Sequence, residues 1–365
     1  MNSDSNNAVN FPEPPQSINT MPCSSLYQLN MKTNLVTSSL IICFVGLLIQ
    51  FSACKKPKKT NTPSPPEAEV VINTSPLWKA DSPCFLDGPP GSFDDLAVKD
   101  PTIVYSGGKH HLFYTAREKG PGGTWRMAYA SASQISELDT APRTFMTALV
   151  GGSYFCAPQV FQFSARGTWY LIYQSGQGAT FSTSSDVADP DSWTPGKGMG
   201  FSDGIDFWCL SDGNYVYCFY SAQDGTRTIK RRRTTIANFP YNWEAPTVVA
   251  TSTFEAPHVY KNKADGKFYM VVEDIARHQE LWVATTLGGT WTKLSEKWAS
   301  IENLSFLSER WTDQVSHVEL LRSGINERLE VNDINRCEML IQGVVNGNYG
   351  DYGNIPYDLG LMRNY

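Results

Sequence analysis

Four positions carry side chains that could do chemistry together: Asp100, Asp206, Glu255 and His317. Asp100 stands directly before Pro101, and Glu255 stands before Ala256-Pro257. Both therefore read as the mouth of a strand and not as the interior of a helix. Any one of these acids, taken alone, is ordinarily a loop or cap residue, and His317 alone is ordinarily a satisfied core histidine. Three acids brought to one point are different. Their mutual repulsion and partial burial raise at least one carboxyl pKa. A carboxyl kept protonated near neutrality beside an ionised one is the pair that glycosidic bond hydrolysis requires.

Whether the acids meet depends on the elements that carry them. Asp100-Pro-Thr-Ile-Val-Tyr-Ser-Gly-Gly-Lys-His-His-Leu-Phe-Tyr114 reads as a strand, a Gly turn and an aromatic strand. The same grammar recurs from Ala157 to Tyr173, from Asp206 to Tyr220 and from Ala256 to Val272, and more loosely from Ser316. Alternating apolar residues around Gly-Gly and Asp-Gly turns mark hairpins. Further strand-like pieces such as Met127-Ala-Tyr-Ala-Ser lie between them, and Trp193 and Trp291 sit in turns that follow. Starts near 100, 157, 206, 256 and 316 recur about every 50 to 60 residues, the length of a four-stranded propeller blade. The expectation is an all-β, five-bladed β-propeller over residues 77–365. A β-sandwich is the competing fold, but sandwiches seldom repeat an opening Asp/Ala-Pro at one spacing. In a propeller the innermost strands begin around the axis, so Asp100, Asp206, Glu255 and His317 would converge there.

Composition narrows the partners. With 36 Asp+Glu against 30 Lys+Arg the chain is mildly acidic, which argues against a nucleic-acid partner. The one basic run, Lys230-Arg-Arg-Arg233, reads as a solvated strand face. Ten Trp and 17 Tyr suit β-sheets and also the walls of sugar clefts. Residues 1–30 are polar and aperiodic and read as an extension of the gene model. Residues 31–54 read as a signal peptide: a basic start, then the apolar run Leu40–Ile49, too short to span a bilayer. That run ends in Phe51-Ser-Ala-Cys54, similar to the cleavage box of bacterial lipoproteins, with Cys54 as the lipidated residue. An ordinary cleaved secretory signal is the alternative; export is expected on both readings, to the outer membrane or cell surface as a lipoprotein, or as a secreted protein on the alternative. Residues 55–76 are Pro- and Lys-rich and read as a tether.

The ordered set Val98-Lys-Asp-Pro101, Ala157-Pro-Gln-Val160, Asp206-Phe-Trp208, Phe254-Glu-Ala256, Ser316-His317, Arg322-Ser-Gly324, Gly350-Asp-Tyr352 and Leu359-Gly-Leu361 resembles glycoside hydrolase family 62. The resemblance implies an inverting α-L-arabinofuranosidase acting on arabinoxylan, monomeric and without an organic cofactor. By position it implies Asp100 as general base, Glu255 as general acid and Asp206 as the acid that tunes Glu255. It implies Lys99, Gln159, Phe207, Trp208 and Tyr352 as substrate-binding residues, and His317 as a histidine beside an axial calcium ion. Cys84 and Cys337 are a candidate disulfide between the ends of the body. Two departures stand out: Glu280 takes the place of an arginine before the third strand of the fourth unit, and Asp358 that of a basic residue near the end. Both are expected to make the cleft more acidic. The alternatives are a family 43-type xylosidase or arabinanase with the same acids, and a catalytically inactive glycan-binding propeller.

Overall fold

Each Gly turn picked out above closes a hairpin, and the hairpins are the inner halves of four of the five blades. The computed structural model describes residues 70–120, 123–346 and 350–365; the expected signal peptide, Cys54 and most of the tether lie outside them. Blade I pairs Ala97–Ser106, Lys109–Arg117, Arg126–Ala132 and Arg143–Phe145 in that order. Blade II follows with Phe155–Phe163, Thr168–Ser175, Gly178–Ser184 and Lys197–Gly198. Blade III consists of Gly204–Ser211, Tyr215–Ala222, Thr228–Thr235 and Thr247–Thr251. Blade IV consists of Glu255–Asn262, Phe268–Glu273, Gln279–Ala284 and Thr292–Ala299.

Blade V explains why the fifth repeat is loose in sequence. Its inner strand Ser316–Leu320 pairs with Glu338–Gly343, which follows a long excursion instead of a Gly hairpin. Next comes Asp358–Arg363, and then the N-terminal strand Trp78–Phe85, which slots between it and Leu304–Phe306. The first strand of the body thus completes the last blade and removes the open edges that a linear array would leave.

Between blades the contact is aromatic. Trp193, between the third and fourth strands of blade II, meets Phe113 of blade I edge-on at 5.4 Å, and Trp291 in blade IV meets Phe219 of blade III at 5.5 Å. Such pairs contribute about 0.5–1.5 kcal/mol beyond the area they bury. This accounts for the Trp-bearing turns. The basic run, expected to be solvated, is instead half-buried and partnered. Arg231 donates to the carbonyls of Leu287 and Gly289, Arg232 to Asp203, and Arg233 to Glu244, while Lys230 pairs with Asp224. The expected Cys84–Cys337 bridge is also corrected, since both cysteines are free. Cys84 lies opposite the Leu359–Gly360 end of the strand it pairs with, whereas Cys337 is hydrogen-bonded to Asn364 beyond the other end. A disulfide needs Cα atoms within about 7 Å. Four residues of extended chain put these well past that.

One backbone device recurs in every blade. Asp100, Ala157, Asp206, Ala256 and His317 all have left-handed φ, between 26° and 55°. Each occupies a break in register of its inner strand, a β-bulge. Proline follows three of them (Pro101, Pro158, Pro257), where its missing N–H costs no ladder bond. The bulge N–H turns aside and is received by a side chain from the end of the second strand of the preceding blade. Thr115 receives Ala157 at 2.8 Å, Gln174 receives Asp206 at 3.0 Å, and Ser221 receives Ala256 at 3.1 Å. Glu273 receives His317 at 2.7 Å, and Gln342 receives Asp100 at 2.9 Å, closing the ring. Five staples hold five bulges around one axis.

Candidate active site

The bulges aim their side chains at a single pocket on the axis. It has a volume of about 100 Å³ and is lined by Lys99, Asp100, Trp125, Tyr154, Cys156, Gln174, Ile205, Asp206, Glu255, His317 and Tyr352. The three acids predicted to converge do so, one each from blades I, III and IV. The left-handed residue of each bulge is the local reason: Asp100 and Asp206 are themselves left-handed, and Glu255 directly precedes left-handed Ala256. A left-handed residue bends the strand and swings its side chain off the sheet face towards the axis. Arg322, just after the inner strand of blade V, links it to blades I and II, donating to the carbonyls of Val160 and Ile103 at 2.9 and 2.7 Å and lying 3.1 Å from Glu319.

The acids differ in their neighbours. Asp100 Oδ1 lies 3.3 Å from Lys99 Nζ and 3.1 Å from His317 Nδ1. Burial pushes this carboxyl up, but Lys99 and His317, with the Thr115 hydroxyl, outweigh it and leave Asp100 below the usual carboxylate range. Burial pushes Glu255 up to about 7, helped by the charge of Glu273 and opposed by Arg277 and Lys99. Asp206 is raised well above the usual range by burial and by the charges of Glu255 and Asp100. Glu255 and Asp206 thus resist ionising together. The pocket holds one acid poised as a base and, opposite it, a carboxyl pair that keeps a proton near neutrality.

The wall is cationic and aromatic. Lys99 Nζ donates to the Tyr352 hydroxyl at 2.6 Å and sits 4.5 Å from the Trp125 ring. Burial would pull Lys99 down, but Asp100 and Tyr352 more than offset it, so the ammonium stays charged. Lys99 and Tyr352 therefore stand where the sequence placed them.

Three other predicted sugar contacts are not brought to the pocket. Gln159 is fully buried and clamps the backbone of Cys209, donating to its carbonyl at 2.8 Å and accepting from its N–H at 2.7 Å. Phe207 packs edge-on against Phe201, and Trp208 stacks on His258 at 3.8 Å while its indole N–H donates to Val259. All three follow a bulge on the inner strand and point into the blade-to-blade core. Glu280 and Asp358 do not acidify the pocket either. Glu280 is in the third strand of blade IV, tied to Lys293 and Trp282, and Asp358 accepts the N–H of Asp87. A guanidinium is nonetheless present at the site. It comes from Arg277, 3.3 Å from Glu255 and 2.6 Å from Glu273.

Sequence reasoning missed Arg277, Glu273, Trp125, Tyr154 and Gln174. Two of these had a signal. Gln174 and Glu273 pair directly with Cys156 and Glu255, the residues one before the bulges, so hairpin register counted back from the turn reaches them. The surroundings of His317 do not form a calcium cage. Its neighbours are the Asp100 carboxylate and the His258 ring, and among the described residues no three His, Cys, Asp or Glu gather as a ligand set. Side chains alone do not build the six to eight oxygens that calcium prefers.

A family model for glycosyl hydrolase family 62 matches residues 88–363. Alpha-L-arabinofuranosidase C of Cellvibrio japonicus (strain Ueda107) is 31% identical over 304 residues, 78% of this chain and 46% of that protein, so the chain spans about half the relative's length. The catalytic domain of a Coprinopsis cinerea GH62 alpha-L-arabinofuranosidase superposes with a TM-score of 0.73 at 26% identity, over 80% of this chain and 98% of that one. A GH62 hydrolase in complex with xylotriose superposes at 0.70 and 25% identity, over 80% and 98% respectively. The sequence match and the five-bladed architecture agree: the chain belongs to glycosyl hydrolase family 62.

Proposed function

We propose that this chain is an inverting α-L-arabinofuranosidase that removes single arabinofuranose side chains from arabinoxylan. The observation that carries the proposal is a small axial pocket in which a base-poised Asp100 and a proton-holding Glu255 arrive from different blades. A pocket of about 100 Å³ suits one terminal residue and not a run of backbone. The named activity of the curated relative and the xylotriose bound to a GH62 structure support the choice of sugar and polymer.

In this reading the arabinose ring sits between the acids, against Lys99, Tyr352 and Trp125. Asp100 takes a proton from a water as that water attacks the anomeric carbon. Glu255 gives its proton to the departing glycosidic oxygen, and the C–O bond breaks. Asp206 keeps the proton on the Glu255 side at working pH, because ionising both costs mutual repulsion. The separation of roles is electrostatic: the Lys99 ammonium and the His317 ring crowd Asp100, and the Glu273 and Asp100 carboxylates raise Glu255. Lipid anchoring through Cys54 and export to the cell surface belong to the same proposal and rest on the leader sequence alone. Incorporation of labelled palmitate that is lost in Cys54→Ala tests them.

The test of activity is product analysis on wheat arabinoxylan. Free arabinose should appear as the β-anomer first in proton NMR, with linear arabinan left uncut. Shortened arabinan, released xylose or a first-formed α-anomer would contradict the proposal.

A further inference from the structure

Glu273 is the odd member of the ring of staples. Thr115, Gln174, Ser221 and Gln342 show that a neutral oxygen suffices to receive a bulge N–H. Blade IV uses a carboxylate instead, and burying one is costly unless its charge is used. Glu273 is fully buried. Its Oε2 makes the staple to His317, so the charge is not required there. Its Oε1 accepts from Ser316 Oγ at 2.8 Å and from Arg277 Nη1 at 2.6 Å.

Arg277 in turn is fixed along its length. Its backbone is left-handed at φ 61°, its N–H donates to Asp274, and its carbonyl accepts from Val315. Its guanidinium lies over the rings of Phe254 at 5.1 Å and Tyr352 at 5.5 Å. The same Nη1 that binds Glu273 reaches Glu255 Oε1 at 3.3 Å. An oxygen that accepts from a guanidinium does not carry the acidic proton, so the proton of Glu255 is left to Oε2.

We propose that Arg277, anchored by Glu273, is a positioning residue for the proton donor: it holds Glu255 Oε1 and presents the protonated Oε2 to the leaving oxygen. When the proton passes from Oε2 to the glycosidic oxygen and the C–O bond breaks, Arg277 is already beside the carboxylate that forms. The charge of Glu273 is the part of the staple ring that blade IV adds for this purpose. The inference rests on the arabinofuranosidase reading.

Glu273→Gln is the informative variant, because it gives blade IV the same amide acceptor that blades II and V use. The fold should therefore survive while Arg277 loses its anchor. Glu273→Gln and Arg277→Gln should each lower kcat on arabinoxylan by about 10- to 100-fold with KM little changed, the scale of a misplaced catalytic group. On a nitrophenyl α-L-arabinofuranoside, whose leaving group departs without a proton, each should lose less than about threefold. Arg277→Lys should recover part of the arabinoxylan rate. Equal losses on both substrates, or a variant that fails to fold, would assign the pair to the scaffold and overturn the inference, as would an undiminished rate on arabinoxylan. If the unmodified enzyme releases arabinose from neither substrate, the functional reading itself fails.

Discussion

Blades II and IV enter the ring through the same backbone. Both have an Ala-Pro bulge, Ala157-Pro158 and Ala256-Pro257, with alanine at φ 51° and 55°. The residue before the bulge pairs across the hairpin with the last acceptor of the second strand in both. In blade II that pair is Cys156 and Gln174; in blade IV it is Glu255 and Glu273. Burial acts on both leading residues. It pushes the Cys156 thiol up to about 12, where it is inert near neutrality, and the Glu255 carboxyl up to about 7, where it can give and take a proton. The two blades teach that the scaffold supplies position and burial equally, and that chemistry is set by which side chains fill two paired positions.

Three experiments press on that comparison. The largest effect expected is on stability, because burial of Glu255 has a cost that blade II does not bear. Its pKa rises from the ordinary 4.5 to about 7 on folding, so the folded chain holds this proton more tightly than the unfolded one. Stability is therefore lost as pH rises through that window, by an amount on the order of 3 kcal/mol from this group. Glu255→Gln removes the titration. Its melting temperature should gain on the wild type between pH 4.5 and pH 8, and parallel curves would contradict the burial argument.

A smaller effect should follow from giving blade II the acceptor of blade IV. Gln174 receives the N–H of Asp206 and donates to Tyr154. Gln174→Glu adds a negative charge beside the carboxyl pair, so the alkaline limb of the pH–rate profile should move up by about one unit. An unmoved limb would mean that Asp206 and Glu255 do not sense this position. The smallest effect is expected at Cys156. Cys156→Ser should leave kcat/KM unchanged, and iodoacetamide at neutral pH should not inactivate the enzyme. Rapid inactivation blocked by that substitution would show that the thiol is not inert.

Much of this architecture was legible because the repeat is written in turns. Gly107-Gly108, Gly167, Asp212-Gly213 and Asp265-Gly266 each close the hairpin that the alternation implied. Asp265 shows why such turns are strong signals: its carboxylate takes bonds from Asn262, Lys267 and Tyr269. The acids were legible for a related reason, since they stand at or next to a bulge that recurs in every blade. Gln159, Phe207 and Trp208 were misplaced by the same bulge. It puts neighbouring residues on opposite sides of the strand, so adjacency to Asp206 did not bring Phe207 or Trp208 into the pocket. Arg277 and Trp125 come from loops between second and third strands, where no periodicity reaches. The supposed loss of an arginine at Glu280 was a reading in one dimension, because the guanidinium arrives from the preceding turn.

The central claim is that Glu255, at the mouth of blade IV, is the proton donor. The most direct test is arabinose release by Glu255→Gln from arabinoxylan, measured beside retention of the same polymer in a binding assay. The account predicts a loss of about 10²- to 10⁴-fold in hydrolysis, the usual share of general acid catalysis, with binding largely intact. Hydrolysis at the wild-type rate would contradict it.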